Sequence, residues 1–232
     1  MGRFSRLQVW QAMEQSGLVP LYYHEDGKVA KRIADALIDG GVRVIEFADR
    51  GVRAFEVFRE VALHMERVAP EVILGIGSVV DAPTAGLYLN LGADFVVSPA
   101  IYEDVARLCN RREIAYFPGC GTATEIAAAV ELGAEICKVF PGSQIGGPGL
   151  VSAIRGPCPW IKLMPTGGVD ASRESLKAWF DAGVACVGMG SSLVPSEWVK
   201  AGDWPRIASL TAQCLIWIGE VRAERHEDAI RC

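Results

Sequence analysis

A closed parallel (β/α)8 barrel, an α/β fold, is what this 232-residue sequence predicts, and three observations predict it. Short β-rich apolar runs alternate eight times with longer amphipathic segments. The runs are continuously apolar, as in parallel strands covered on both faces, and each parallel crossover needs a helix of its own. The chain also has the length at which such barrels form one unit, roughly 250 residues. An open doubly wound sheet is the structural rival. No Gly-x-Gly-x-x-Gly run follows the first strand, which weakens the dinucleotide-binding version of that rival.

In chain order, residues 5–16 carry Leu7, Val9, Trp10 and Met13 at helical spacing and stop at Gly17, so an N-terminal helix precedes the first strand. Strands are expected at 18–23, 42–47, 72–76, 95–97, 114–117, 136–140, 161–164 and 184–187. Helices are expected between them near 27–39, 52–68, 82–91, 102–110, 123–132, 149–155 and 173–182, the sixth being short. Gly40, Gly92, Gly133 and Gly183 suit helix C-termini. The reading is therefore one domain, 1–232, with the barrel over about 18–195 and a C-terminal helical extension over about 196–232. That extension holds a helix near 205–223 and a charged tail, expected to pack outside the barrel and fray.

Composition narrows the partners. Apolar residues make up 50% and charged residues 22%, an ordinary balance for a compact α/β enzyme. A net charge of −5 without a basic stripe gives nucleic acid nothing to bind. No run approaches the roughly 20 apolar residues that span a bilayer, and the N-terminus has no secretory core, so a soluble cytoplasmic protein is expected. The seven cysteines are scattered and read as reduced core residues. Three dispersed histidines make a histidine-built metal site improbable, and no cofactor is implied.

The chemistry gathers around Lys138, which lies between Ile136, Cys137, Val139 and Phe140. An amine in such a run cannot easily reach water, so it is paired, deprotonated or used. A desolvated amine sheds its proton more readily, and a neutral amine adds to carbonyls to form a Schiff base. Strand alternation places Glu46 on one face with Val44 and Ala48, and Lys138 with Ile136 and Phe140. Both belong to even-numbered strands, so they can meet at the barrel mouth. A structural ion pair would also explain them. Gly167 and Gly168 after strand seven, and Gly190 with Ser191 after strand eight, stand where this architecture holds phosphate, although plain turn chemistry remains open. Cys120 has no neighbouring histidine to activate it and is not read as a nucleophile.

The motifs, in order, are Gly-Leu-Val-Pro, Gly-Gly-Val-Arg-Val-Ile-Glu with Arg50 four residues later, Gly-Ile-Gly-Ser-Val, Val-Ser-Pro-Ala, Phe-Pro-Gly-Cys, Cys-Lys-Val-Phe-Pro, Pro-Thr-Gly-Gly-Val and Gly-Ser-Ser-Leu-Val-Pro. Together they resemble the bifunctional 2-keto-3-deoxy-6-phosphogluconate and 4-hydroxy-2-oxoglutarate aldolases, class I aldolases on a (β/α)8 barrel. The resemblance implies a Schiff-base role for Lys138 and an acid/base role for Glu46. It implies that Arg50, Ser78 and Thr166 hold the pyruvate carboxylate, that Gly167, Gly168, Gly190 and Ser191 receive the phosphate, and that Phe140 and Pro141 wall the pocket. It further implies a small keto acid or sugar phosphate substrate, no metal, a homotrimer, and a place in Entner–Doudoroff carbohydrate metabolism. Ala48 and Gly51 stand where the family often has threonine, and Ser78 replaces another, so the hydroxyls around the substrate are altered. A phosphosugar isomerase or synthase, and a non-catalytic sugar-phosphate-binding protein, are the competing functional readings; a metal-dependent aldolase is the least supported.

Overall fold

The structure is a computed structural model that describes the backbone of residues 2–231 and the side chains up to residue 225. Nine short strands, all paired in parallel, alternate with helices. The strands are β1 (Leu18–Tyr22), β2 (Val44–Ala48), β3 (Ile73–Gly77), β4 (Phe95–Val97), β5 (Ala115–Phe117), β6 (Gly119–Cys120), β7 (Cys137–Val139), β8 (Leu163–Pro165) and β9 (Val187–Met189). The helices are α1 (Arg6–Ser16), α2 (Gly27–Asp39), α3 (Ala54–Val68), α4 (Ala82–Asn90), α5 (Glu103–Arg111), α6 (Ala123–Glu131), α7 (Gly147–Arg155), α8 (Arg173–Ala182), α9 (Ser196–Ala201) and α10 (Trp204–Arg231). Among the described residues no helix is long and apolar enough to cross a membrane.

The strands form two sheets instead of the single expected ring, one in the order β5-β4-β3-β2-β1-β9 and the other β6-β7-β8. The break falls at Pro118, just past the expected fifth strand (114–117), and β6 beyond it pairs into the other sheet. Proline has no amide hydrogen for a ladder bond, yet its carbonyl still accepts from the Lys138 amide at 2.9 Å. At the other seam β8 and β9 share one bridge, Thr166 with Gly188, and the Ala185 amide donates to Leu163 at 2.9 Å. The seventh and eighth strands start two and three residues later than expected. Ile161 and Val184 are buried in the outer, helix-facing core and serve as lead-ins.

Period-two alternation sorts the core. Val19, Val44, Ile73, Phe95, Val97, Ala115, Phe117, Ile136, Met164 and Cys186 form one buried cluster drawn from both sheets, so their inner faces oppose each other. Val9 and Met13 of α1 join this cluster, which places the N-terminal helix across its lower end. The alternate residues, such as Ile45, Phe47, Leu74 and Val139, belong to the larger cluster under the helices. Asp26, Asp81, Thr122 and Ser172 cap the starts of α2, α4, α6 and α8, each side chain accepting from an amide of the first turn. At the C-termini, Gly183 takes the left-handed conformation expected of it, whereas Gly40 is right-handed and Gly41 turns the chain.

Candidate active site

Lys138 and Glu46 come from different sheets, Lys138 from β7 and Glu46 from β2, and both point inward. Lys138 is 5% exposed and Glu46 1% exposed, and Lys138 Nζ stands 4.0 Å from Glu46 Oε1. That is an ion-pair separation, longer than a hydrogen bond. Lys138 Nζ also lies 5.1 Å from the centre of the Phe140 ring. Burial pushes the Glu46 carboxyl above the usual carboxylate range, against the opposing pull of Lys138 and Arg50.

The local sequence makes room for this pair. Gly77 ends β3 beside Glu46, and a Cβ there would fall on the carboxylate. Gly77 thus has a steric reason in this chain, and Gly75 has another, since a Cβ there would fall on the Phe95 ring. Glu46 Oε2 and Thr166 Oγ1 are buried and have no hydrogen-bond partner among the described residues. An unpartnered carboxylate oxygen beside Lys138 and an unpartnered hydroxyl on the cleft wall are what a substrate-binding pocket offers.

A cleft of about 540 Å³ opens nearby. Of the residues singled out from sequence, Arg50, Phe140, Thr166, Gly167, Gly168, Gly190 and Ser191 line it. Lys138 and Glu46 lie outside that lining, as buried residues whose neighbours Phe140 and Arg50 face the cleft. Ser78 also lies outside it; half-buried, it follows directly on β3 with a left-handed φ of 64°. Pro141 is exposed, does not line the cleft, and packs instead beside Gly167. The two loops are tied together, with the Gly142 amide donating to Thr166 at 2.9 Å and the Ser143 amide to Gly167 at 3.0 Å. Cys120 is buried on β6 with its thiol donating to the Pro118 carbonyl at 3.6 Å, and the neighbouring Cys137 thiol together with burial pushes its pKa well above that of an ordinary thiol.

The profile of the KDPG and KHG aldolases, named for 2-keto-3-deoxy-6-phosphogluconate and 4-hydroxy-2-oxoglutarate, matches residues 9–210. The chain belongs to that family. It is 35% identical to a 2-dehydro-3-deoxy-phosphogluconate aldolase of Pseudoalteromonas atlantica over 201 residues, 87% of this chain and 91% of the relative. It is 32% identical to the KHG/KDPG aldolase of Escherichia coli K12 over 202 residues, 85% of this chain and 90% of that one. Among solved structures, a KDPG aldolase from Legionella pneumophila, with pyruvate captured as a covalent carbinolamine, superposes with a TM-score of 0.79 at 28% identity. That match covers 88% of this chain and 96% of the other.

In this member of the KDPG and KHG aldolase family the cleft is also lined by polar residues that motif reading passed over, among them Tyr23, His24, Asp170, Ser196 and Lys200. Tyr23 and His24 directly follow β1, a strand-end position of the kind already searched on other strands. Lys200 belongs to α9, in the segment assigned to an extension, and only the structure shows α9 reaching the cleft.

Proposed function

We propose that this protein is a class I aldolase, an aldehyde-lyase that reversibly cleaves a 2-keto-3-deoxy sugar acid, such as 2-keto-3-deoxy-6-phosphogluconate, or 4-hydroxy-2-oxoglutarate, to pyruvate and an aldehyde. The observation that carries the reading is the buried Lys138–Glu46 pair, 4.0 Å apart beside the cleft, in a chain of this family. Lys138 adds to the C2 ketone, giving a carbinolamine that loses water to form an iminium. Glu46 takes the proton of the C4 hydroxyl, the C3–C4 bond breaks, and its electron pair flows into the iminium, leaving an enamine and a free aldehyde. Protonation at C3 and hydrolysis then release pyruvate and the amine. Phe140 walls the amine. Arg50, with Thr166 and Ser78, holds the carboxylate end, while Gly167, Gly168, Gly190 and Ser191 hold a phosphate at the other.

The same reading closes the two sheets into one eight-stranded barrel, with β5 and β6 as one interrupted strand and the Thr166–Gly188 bridge as the final seam. It treats residues 1–232 as one domain. Family resemblance alone supports a cytoplasmic homotrimer in Entner–Doudoroff metabolism, and sedimentation would test the trimer.

The decisive experiment incubates the protein with pyruvate and borohydride and maps the adduct by mass spectrometry. A reduced pyruvyl adduct on Lys138 is expected. Folded protein that cleaves a keto acid without a trappable lysine would point to a different mechanism, and ligand-induced melting shifts without pyruvate release would point to a binding protein.

A further inference from the structure

The strand order β2-β1-β9 places the end of β1 between the two ends of the proposed substrate. Arg50 stands just past β2 on one side, Gly190 and Ser191 just past β9 on the other, and Tyr23 and His24 follow β1 between them. All five line the same cleft. A keto acid stretched from a carboxylate at Arg50 to a phosphate at Ser191 therefore passes over Tyr23 and His24.

Both side chains are held in place with a polar edge to spare. The Asp26 amide donates to His24 Nδ1 at 3.0 Å. An amide can only donate, so Nδ1 is the bare ring nitrogen and the proton sits on Nε2. Asp26 is also the N-cap of α2, its carboxylate accepting from the Lys28 and Val29 amides, so the ring is tied to a fixed helix start. Tyr23 is braced from the opposite side. Its ring packs edge-on against Phe47 at 5.8 Å, and its hydroxyl occupies the space over Gly51, where a Cβ would lie 2.7 Å from Oη. Gly51 has a φ of 98°, which glycine adopts without strain, so the loop carrying Arg50 can press against the tyrosine. Among the described residues no hydrogen bond takes up His24 Nε2 or Tyr23 Oη, and both side chains are partly exposed.

We propose that Tyr23 and His24 are specificity-determining residues whose Oη and Nε2–H hydrogen-bond the hydroxyl groups in the aldehyde half of the substrate. The inference rests on the Schiff-base reading, which sets the keto end of the substrate at Arg50. A short acceptor such as glyoxylate carries no hydroxylated chain to reach the end of β1. A phosphorylated hydroxyaldehyde such as glyceraldehyde 3-phosphate does.

The test measures kcat/KM for condensation of pyruvate with each aldehyde in Tyr23→Phe, His24→Leu and His24→Gln. For glyceraldehyde 3-phosphate, Tyr23→Phe and His24→Leu should each lose about tenfold to a hundredfold, the scale of losing one hydrogen bond to the substrate. The loss with glyoxylate should be several times smaller. His24→Gln, which keeps an N–H near the Nε2 position, should recover most of the selectivity, and Tyr23→Phe keeps the Phe47 contact and so isolates the hydroxyl. Equal losses on both aldehydes, a Gln variant as impaired as the Leu variant, or an unsubstituted protein that accepts glyoxylate and not the hydroxyaldehyde would each overturn the proposal. Borohydride trapping of pyruvate on each variant separates the two levels. An intact adduct with unchanged selectivity defeats this inference alone, whereas no adduct on the unsubstituted protein defeats the Schiff-base reading beneath it.

Discussion

At the scale of single residues, the Lys138–Glu46 pair places two opposite demands on one buried site. Lysine needs to shed a proton to attack a ketone, and glutamate needs to be ionised to accept one from the C4 hydroxyl. Desolvation favours the neutral form of Glu46, and the neighbouring charge of Lys138 pulls it back only in part. As pH falls through the raised Glu46 value the base is lost, so the acid limb of kcat/KM should lie above the ordinary carboxylate range. A Glu46→Gln variant should lose about 10²- to 10⁴-fold in kcat and lose that limb with it. A Gln variant with near-normal turnover would remove Glu46 from the chemistry. Lys138→Met should form no pyruvyl adduct and show no turnover above background. These two side chains were legible in sequence because each is a charge in an apolar strand, a conflict with burial that asks for an explanation. Tyr23 and His24 raised no such conflict. A tyrosine and a histidine at a strand end satisfy ordinary packing rules, and their importance comes from the spatial order β2-β1-β9, which local pattern does not state.

At the scale of elements, β3 shows how a strand can serve the site without contributing a reacting group. Gly77 pairs with Ala48 across the β2–β3 ladder and lies against the Glu46 side chain, so a side chain there would displace the carboxylate. Gly77→Ala should therefore lower kcat in the parent protein and cost much less in a Glu46→Gln background. That non-additivity is the signature of two positions acting on one group, and steady-state kinetics on the four proteins of the cycle would expose it. Equal penalties in both backgrounds would mean that the alanine merely disturbs the strand. Strand existence was legible at every expected position, because buried parallel strands leave continuous apolar runs. Boundaries were less so. The runs at 161–164 and 184–187 include residues that pack under the helices before the ladder begins, and hydrophobicity alone cannot tell a paired apolar residue from a buried lead-in. The division at Pro118 follows from the missing amide hydrogen, a feature present in sequence but visible as a sheet break only once strand partners are known.

At the scale of the whole molecule, α10 decides whether the chain after Pro195 is an appendage or part of the wall. Ile207, Thr211, Cys214, Ile218 and Val221 are buried at alternating spacings of four and three, forming one stripe down the helix. That stripe packs between α2 and α8, the helices that follow β1 and β8. Polar clamps reinforce the seat. Arg173 of α8 reaches Glu220 at 3.3 Å and also pairs with Glu224, and Arg222 and Arg225 of α10 donate to the carbonyls of Ala185 and Phe180 at 2.6 and 2.9 Å. Exposed ion pairs of this kind contribute little each, so the buried stripe carries most of the attachment. In the proposed closed barrel α10 would supply the eighth covering helix. Two residues on α10 test this with one chemical change. Ile218 is 1% exposed and Ile216 is 54% exposed. Ile218→Ala should cost about 2 to 5 kcal/mol in urea unfolding, while Ile216→Ala should stay within about 0.5 kcal/mol of the parent. In both, α10 should unfold in the same transition as the catalytic core, read by helical signal and by loss of the pyruvyl adduct. A separate early helical transition with the adduct intact would show that α10 is attached to a body that folds without it, with α2 and α8 stable on their own.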